Sequence, residues 1–160
     1  AALAVNILFS LIGFTGSSEV YEQVAEKQFA LPIWAGIILY GIVSPLAEEI
    51  VFRGIVYNRM HRQYGKWIAI IGSALLFGLY HGNAVQALYG FILGVLIAVL
   101  YEKYGSFAVP VILHSAANIF VYVATSVPVL QKTCMNLAAF LGSMVLFMVL
   151  LAGCLSKKGD

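Results

Sequence analysis

Five apolar stretches, 31–58, 67–81, 84–101, 107–124 and 133–155, follow one another through most of the chain with only short polar connectors between them. Stretches of this length and spacing are read as helices that bury one another or meet lipid, because in hydrocarbon every backbone N–H and C=O must be satisfied within the segment itself. Composition decides for lipid. Of the 160 residues, 62% are hydrophobic and 10% are charged, with a mean hydropathy of +0.95, whereas a soluble domain carries roughly a quarter of its residues as charges. The expected fold is all-α: a single membrane-embedded domain over 1–160, a polytopic bundle of about six helices around a polar intramembrane cavity.

The opening run, Ala1 to Phe14, is too short to span a bilayer and is read as a truncated first helix. Gly16-Ser17-Ser18 leads into an acidic stretch with Glu19, Glu22 and Glu26, where Val20, Val24 and Lys27 suit a short amphipathic helix at the interface. Within 31–58, Pro45 should loosen the turn around Gly41 and kink the helix, since it lacks an N–H and its ring crowds that carbonyl. Gly82-Asn83 predicts a tight turn between antiparallel neighbours, and Pro110 falls in a first turn, where its missing N–H costs little. A loop with Pro128 and Lys132 is expected before the last span.

Basic residues suggest an orientation. Arg59, Arg62, Lys66, Lys103, Lys157 and Lys158 fall on one side and Lys27 and Lys132 on the other, which places connector 59–66 and the C-terminus in the cytoplasm. The net charge of +2 and the absence of a basic stripe with interleaved aromatics argue against nucleic-acid binding. Cys134 and Cys154, read as lying on one helix, would be about 30 Å apart, too far for a disulfide, and no paired Cys/His spacing suggests a metal site.

A charge at the centre of a span costs roughly 2.5–3.5 kcal/mol on insertion scales. The polar residues retained inside the apolar stretches are therefore the informative ones: Glu48, Glu49, Arg53, His81, His114 and Asn118. Glu49 and Arg53 stand four apart in the favourable order for an intrahelical ion pair, while Glu48 points about 100° away and has no intrahelical cation. Phe77 and His81 share one helix face, with Gly78 between them to permit close approach, and His114 and Asn118 share another. Their positions along three helices allow Glu48, His81 and His114 to meet at mid-membrane depth. His61 reads as solvated in its connector, and Asn83, Gln86 and Ser115 read as turn or packing residues.

The ordered set Glu48-Glu49-x-x-x-Arg53, Phe77-x-x-x-His81 and His114-x-x-x-Asn118 resembles the CPBP family of CAAX proteases and bacteriocin-processing enzymes, which includes the type II CAAX prenyl endopeptidases. The resemblance covers residues 48–118 and implies an intramembrane endopeptidase of the glutamic type. In it, Glu48 would activate water with the help of His81, His114 and Asn118 would stabilise the oxyanion, and Glu49, Arg53 and Phe77 would support them. No cofactor is implied. Zinc held by Glu48, His81 and His114 is the neighbouring alternative, disfavoured because no HExxH helix is present.

Expected partners are membrane lipids and a membrane-tethered peptide or protein substrate. The reading covers CAAX-type and leader or bacteriocin processing; the compact size suggests a bacterial plasma-membrane protein, for which peptide maturation or bacteriocin self-immunity fits better than a prenylated CAAX substrate. The alternative is a non-enzymatic adaptor or immunity protein that binds a partner through the polar cluster. A proton-coupled transporter is disfavoured, since no second acidic site or pair of broken helices is evident.

Overall fold

The computed structural model describes residues 2–134 and 136–156. Among them the chain forms helices and no strand: α1 (Ala2–Leu11), α2 (Glu19–Phe29), α3 (Ile33–Tyr64), α4 (Lys66–Tyr80), α5 (Ala84–Tyr104), α6 (Ala108–Ser126), α7 (Pro128–Cys134) and α8 (Leu137–Ser156). Helices α3, α5 and α6 are long and apolar enough to cross a membrane, and α4 is a shorter apolar helix of 15 residues. Each of the six apolar segments expected from sequence forms a helix, and the acidic stretch forms α2, capped by Ser18, whose hydroxyl accepts from the Tyr21 N–H.

Two local expectations are corrected. The segment with Pro128 and Lys132 is the short helix α7 rather than a loop, with Pro128 in the first position, where no N–H is needed. The last long helix therefore starts at Leu137, and Cys134 belongs to α7 as a free thiol, not to the same helix as residue 154. The side chain of Cys154 and the residues Lys157 and Lys158 lie outside the described residues.

Proline shapes α3 as its chemistry demands. The helix widens to π geometry over Ile37–Val43, where the Ser44 N–H bonds back to Leu39 O, returns to α over Ser44–Glu49, and widens again over Ile50–Tyr57. The wide turn just before Pro45 is the loosening that the sequence called for. Small residues then set how closely helices approach. A Cβ on Gly78 would overlap the Ala87 carbonyl oxygen, so α4 and α5 lie backbone to backbone, and a Cβ on Gly41 would overlap Ile119, which brings α6 against α3. Between α4 and α5 the chain reverses through Gly82, at φ +74, and Asn83, whose Oδ1 caps α5 by accepting from the Gln86 N–H at 2.9 Å.

At one end of the bundle Tyr57 donates to Glu102 Oε2 at 2.5 Å, and His61 Nε2 lies 3.3 Å from Glu102 Oε1. Arg59, Arg62, Lys66 and Lys103, on the helix ends that meet here, share that end of the bundle. The His61 side chain remains open to solvent, as the sequence suggested, and gains Glu102 as a partner. At the opposite end the Tyr122 hydroxyl donates to the carbonyls of Gln28 and Leu31 at 3.4 and 3.3 Å, and its ring stacks on Phe29, which fastens α2 across α6.

Candidate functional site

Glu48 sits on the regular turn between the two π stretches, where its side chain leaves α3 toward α6. Its Oε1 accepts from Ser44 Oγ at 2.7 Å, and its Oε2 lies 3.6 Å from His114 Nε2. Glu49, about 100° further round the helix, is fully buried. Its Oε1 accepts from Arg53 Nη1 at 2.9 Å and from His114 Nδ1 at 2.8 Å. The imidazole of His114 therefore spans the two neighbouring carboxylates, holding one by a hydrogen bond and facing the other.

Arg53 is also fully buried, and removing such a charge from water costs several kcal/mol. The cost is offset on three sides: by Glu49, by the Gly94 carbonyl that accepts from Nη2 at 3.0 Å, and by the Phe77 ring, whose centroid lies 4.9 Å from the guanidinium carbon. Glu49 Oε2 and Arg53 Nε are buried without a hydrogen-bond partner, so the pair meets through one oxygen rather than as a two-pronged fork.

Phe77 is the wall that both histidines lean on. Its ring meets His81 and His114 edge-on, with centroids 5.1 and 5.4 Å away. His81, at the C-terminal cap of α4, points Nδ1 at the Phe77 carbonyl at 2.9 Å. A carbonyl can only accept, so Nδ1 carries a proton, and in the neutral ring Nε2 then presents the lone pair. Asn118 donates Nδ2 to the Tyr40 carbonyl at 3.0 Å, one turn of α6 beyond His114.

Glu48, Ser44, Phe77, His81, His114 and Asn118 border one cavity of about 260 Å³. Its remaining wall carries the aromatic rings of Phe9, Tyr21, Phe29, Tyr40, Tyr89 and Tyr122 among small, aliphatic and amide side chains, and α2 contributes Tyr21, Val24 and Gln28 to it. Glu49 and Arg53 stand behind this cavity and reach it through His114 and Phe77. Gln86 borders it and Ser115 does not. Among the described residues no group of three or more His, Cys, Asp or Glu is arranged to hold a metal ion. Sequence reasoning missed two participants. Ser44 carried a signal, four residues before Glu48 on the same face; the Gly94 carbonyl carried none, being an ordinary backbone atom on another helix.

The chain is similar to YdiL of Bacillus subtilis, provisionally named a membrane peptidase, with 28% identity over 127 residues, 79% of this chain and 51% of that one. It is 32% identical over 119 residues to the UPF0177 protein YxdF of Lactococcus lactis, covering 74% of this chain and 62% of YxdF. With the membrane-embedded CAAX protease MroQ of Staphylococcus aureus it shares 31% identity over 123 residues, 73% of this chain and 49% of that protein. The chain thus spans about half to three-fifths of the length of these relatives. No solved structure gives a significant match. Residues 30–120, which include the whole set from Glu48 to Asn118, match the profile of the type II CAAX prenyl endopeptidases termed Rce1-like, and the chain belongs to that family.

Proposed function

We propose that this chain is an intramembrane endopeptidase that hydrolyses a peptide bond in a membrane-tethered protein or peptide, with Glu48 activating the attacking water. The observation that carries the reading is the convergence of Glu48, His81, His114 and Asn118 from three helices on one cavity. Family membership and the printed names of YdiL and MroQ support it.

The chemistry follows from what each atom can offer. Glu48 Oε2 is the carboxylate oxygen not held by Ser44, and His81 Nε2 is a second acceptor beside the same space. Together they orient a water and take its proton as the oxygen adds to the scissile carbonyl carbon. The negative charge that develops on the carbonyl oxygen is met by His114 Nε2 and by the second N–H of Asn118 Nδ2, the first being used on Tyr40. Donation by His114 requires a proton on Nε2 as well as on Nδ1, a state in which the imidazolium lies between the Glu48 and Glu49 carboxylates. Collapse of the intermediate breaks the C–N bond, and the proton taken from water passes to the leaving amine. Glu49 and Arg53 act behind this centre by orienting His114 and balancing its charge.

The setting that fits is a bacterial plasma membrane with the basic end of the bundle in the cytoplasm, since YdiL, YxdF and MroQ are bacterial proteins and the basic residues gather at one end. The test is purified protein in lipid bilayers with a panel of membrane-tethered peptides, prenylated and not, assayed with and without a chelator. Cleavage that survives chelation and falls by about two to four orders of magnitude in Glu48→Gln supports the reading. Cleavage restored only by added Zn²⁺ overturns the glutamate mechanism. A panel left uncut, with a bound partner indifferent to Glu48→Gln, points to an adaptor instead.

A further inference from the structure

We propose that Ser44 is a positioning residue that fixes the Glu48 carboxylate, and that the backbone defect created by Pro45 is what frees it to do so. The proposal rests on reading Glu48 as the base that activates water. A serine inside a helix ordinarily returns its hydroxyl to the carbonyl four residues back, which here is Tyr40 O. That carbonyl is already a special case. In an α ladder its donor would be the Ser44 N–H, but this bonds to Leu39 O. In a π ladder the donor would be the N–H of residue 45, which as proline has none. Asn118 Nδ2 supplies the missing donor at 3.0 Å.

With Tyr40 O satisfied from α6, the Ser44 hydroxyl turns forward and donates to Glu48 Oε1 at 2.7 Å, a charge-assisted bond to a half-buried carboxylate. One oxygen is thereby pinned. Rotation of the carboxylate group is arrested, and Oε2 is left facing His114 and the cavity that Ser44 itself borders. Removing the hydroxyl lets the carboxylate turn, so that either oxygen, or neither, faces the water-binding space.

The test compares Ser44→Thr with Ser44→Val, which are nearly equal in shape and differ in the hydroxyl, alongside Ser44→Ala, all in lipid bilayers. Two readouts are taken: kcat and KM on a cleaved peptide, and the infrared band of the Glu48 carboxylate, isolated by subtracting the spectrum of Glu48→Gln. The expected result is a kcat about ten- to hundredfold lower in the alanine and valine variants with KM unchanged, rescued by threonine, the factor that loss of a hydrogen bond to a charged group corresponds to. The band should move in alanine and valine and return in threonine. A band identical in the valine, threonine and wild-type proteins overturns the proposal whatever the turnover. A band that moves while no peptide is cut supports the Ser44 contact and sinks the peptidase reading instead.

Discussion

His114 Nδ1 and Glu49 Oε1 stand 2.8 Å apart in a fully enclosed site, and the same oxygen holds Arg53 Nη1 at 2.9 Å. Two adjacent glutamates therefore have different work. Glu49 is locked between two donors from two helices, while Glu48 is partly open to the cavity, with 13% of its side chain exposed. Glu49→Gln should lower stability by about 3–5 kcal/mol, the range for breaking a buried ion pair, because Arg53 keeps its charge with its counter-ion gone. Glu48→Gln should leave stability nearly unchanged and lower cleavage by about two to four orders of magnitude. Unfolding in detergent, followed alongside activity, separates the two; equal loss of stability in both variants would contradict the division.

Arg53→Lys tests whether charge alone suffices at that position. The guanidinium serves Glu49, the Gly94 carbonyl and the Phe77 face at once, from a planar group. An ammonium keeps the charge but cannot reach the carboxylate and the α5 carbonyl together. A loss of about 1.5–3 kcal/mol is expected, the value of a hydrogen bond to a charged group, smaller than that of Glu49→Gln. An unfolding midpoint equal to wild type would show that the link to Gly94 contributes nothing.

How much of this arrangement is legible in the chain depends on how local each contact is. The Glu49–Arg53 pair and the shared faces of Phe77 with His81 and of His114 with Asn118 follow from spacings of four on a helix, which is why they could be read directly. The widening before Pro45 was also legible, because proline's missing N–H is a property of one residue. What could not be read is which surface each pair meets. The sequence left Glu49 and Arg53 as a self-contained pair, whereas His114 reaches Glu49 across 65 residues. It gave His61 no partner, whereas Glu102 comes to it from 41 residues away. In both cases the partner is chosen by helix packing, and packing is set by glycines such as Gly41 and Gly78, whose consequences appear only once the neighbouring helix is in place.

Gly54 and Gly78 are both helical glycines, and they should respond oppositely to alanine. At Gly54 a Cβ would meet its nearest neighbour, the Glu49 carbonyl oxygen, at 3.8 Å, an ordinary contact, so the better helix propensity of alanine should raise stability by about 0.5–1 kcal/mol. At Gly78 it would collide with the Ala87 backbone oxygen, which cannot swing aside as a side chain could. Gly78→Ala should force α4 and α5 apart and cost about 1–3 kcal/mol, as overpacking does. Paired unfolding measurements decide it, and the same sign for both substitutions would contradict the close approach of α4 and α5. Since Phe77 precedes Gly78 on α4 and His81 caps that helix three residues later, the destabilised variant should also lose activity.

Helix α2 contains no buried residue, yet it borders the cavity through Tyr21, Val24 and Gln28. It is fastened at its end by the Tyr122 hydroxyl, which donates to the carbonyls of Gln28 and Leu31. Tyr122→Phe keeps the ring that stacks on Phe29 and removes only these bonds. Long hydrogen bonds of 3.3 and 3.4 Å belong at the lower end of the usual range, about 0.5–1.5 kcal/mol. The variant should therefore open α2 without unfolding the bundle: amide exchange across 19–29 should quicken by up to about tenfold, while α4 and α5 stay as protected as before. If exchange quickens uniformly through all helices, α2 is not a separately opening unit. If it quickens in α2 alone, the same variant should speed entry of a bulky peptide and raise kcat/KM with the proposed chemical step unchanged, because Tyr122 borders the cavity about two turns of α6 beyond His114, which faces Glu48.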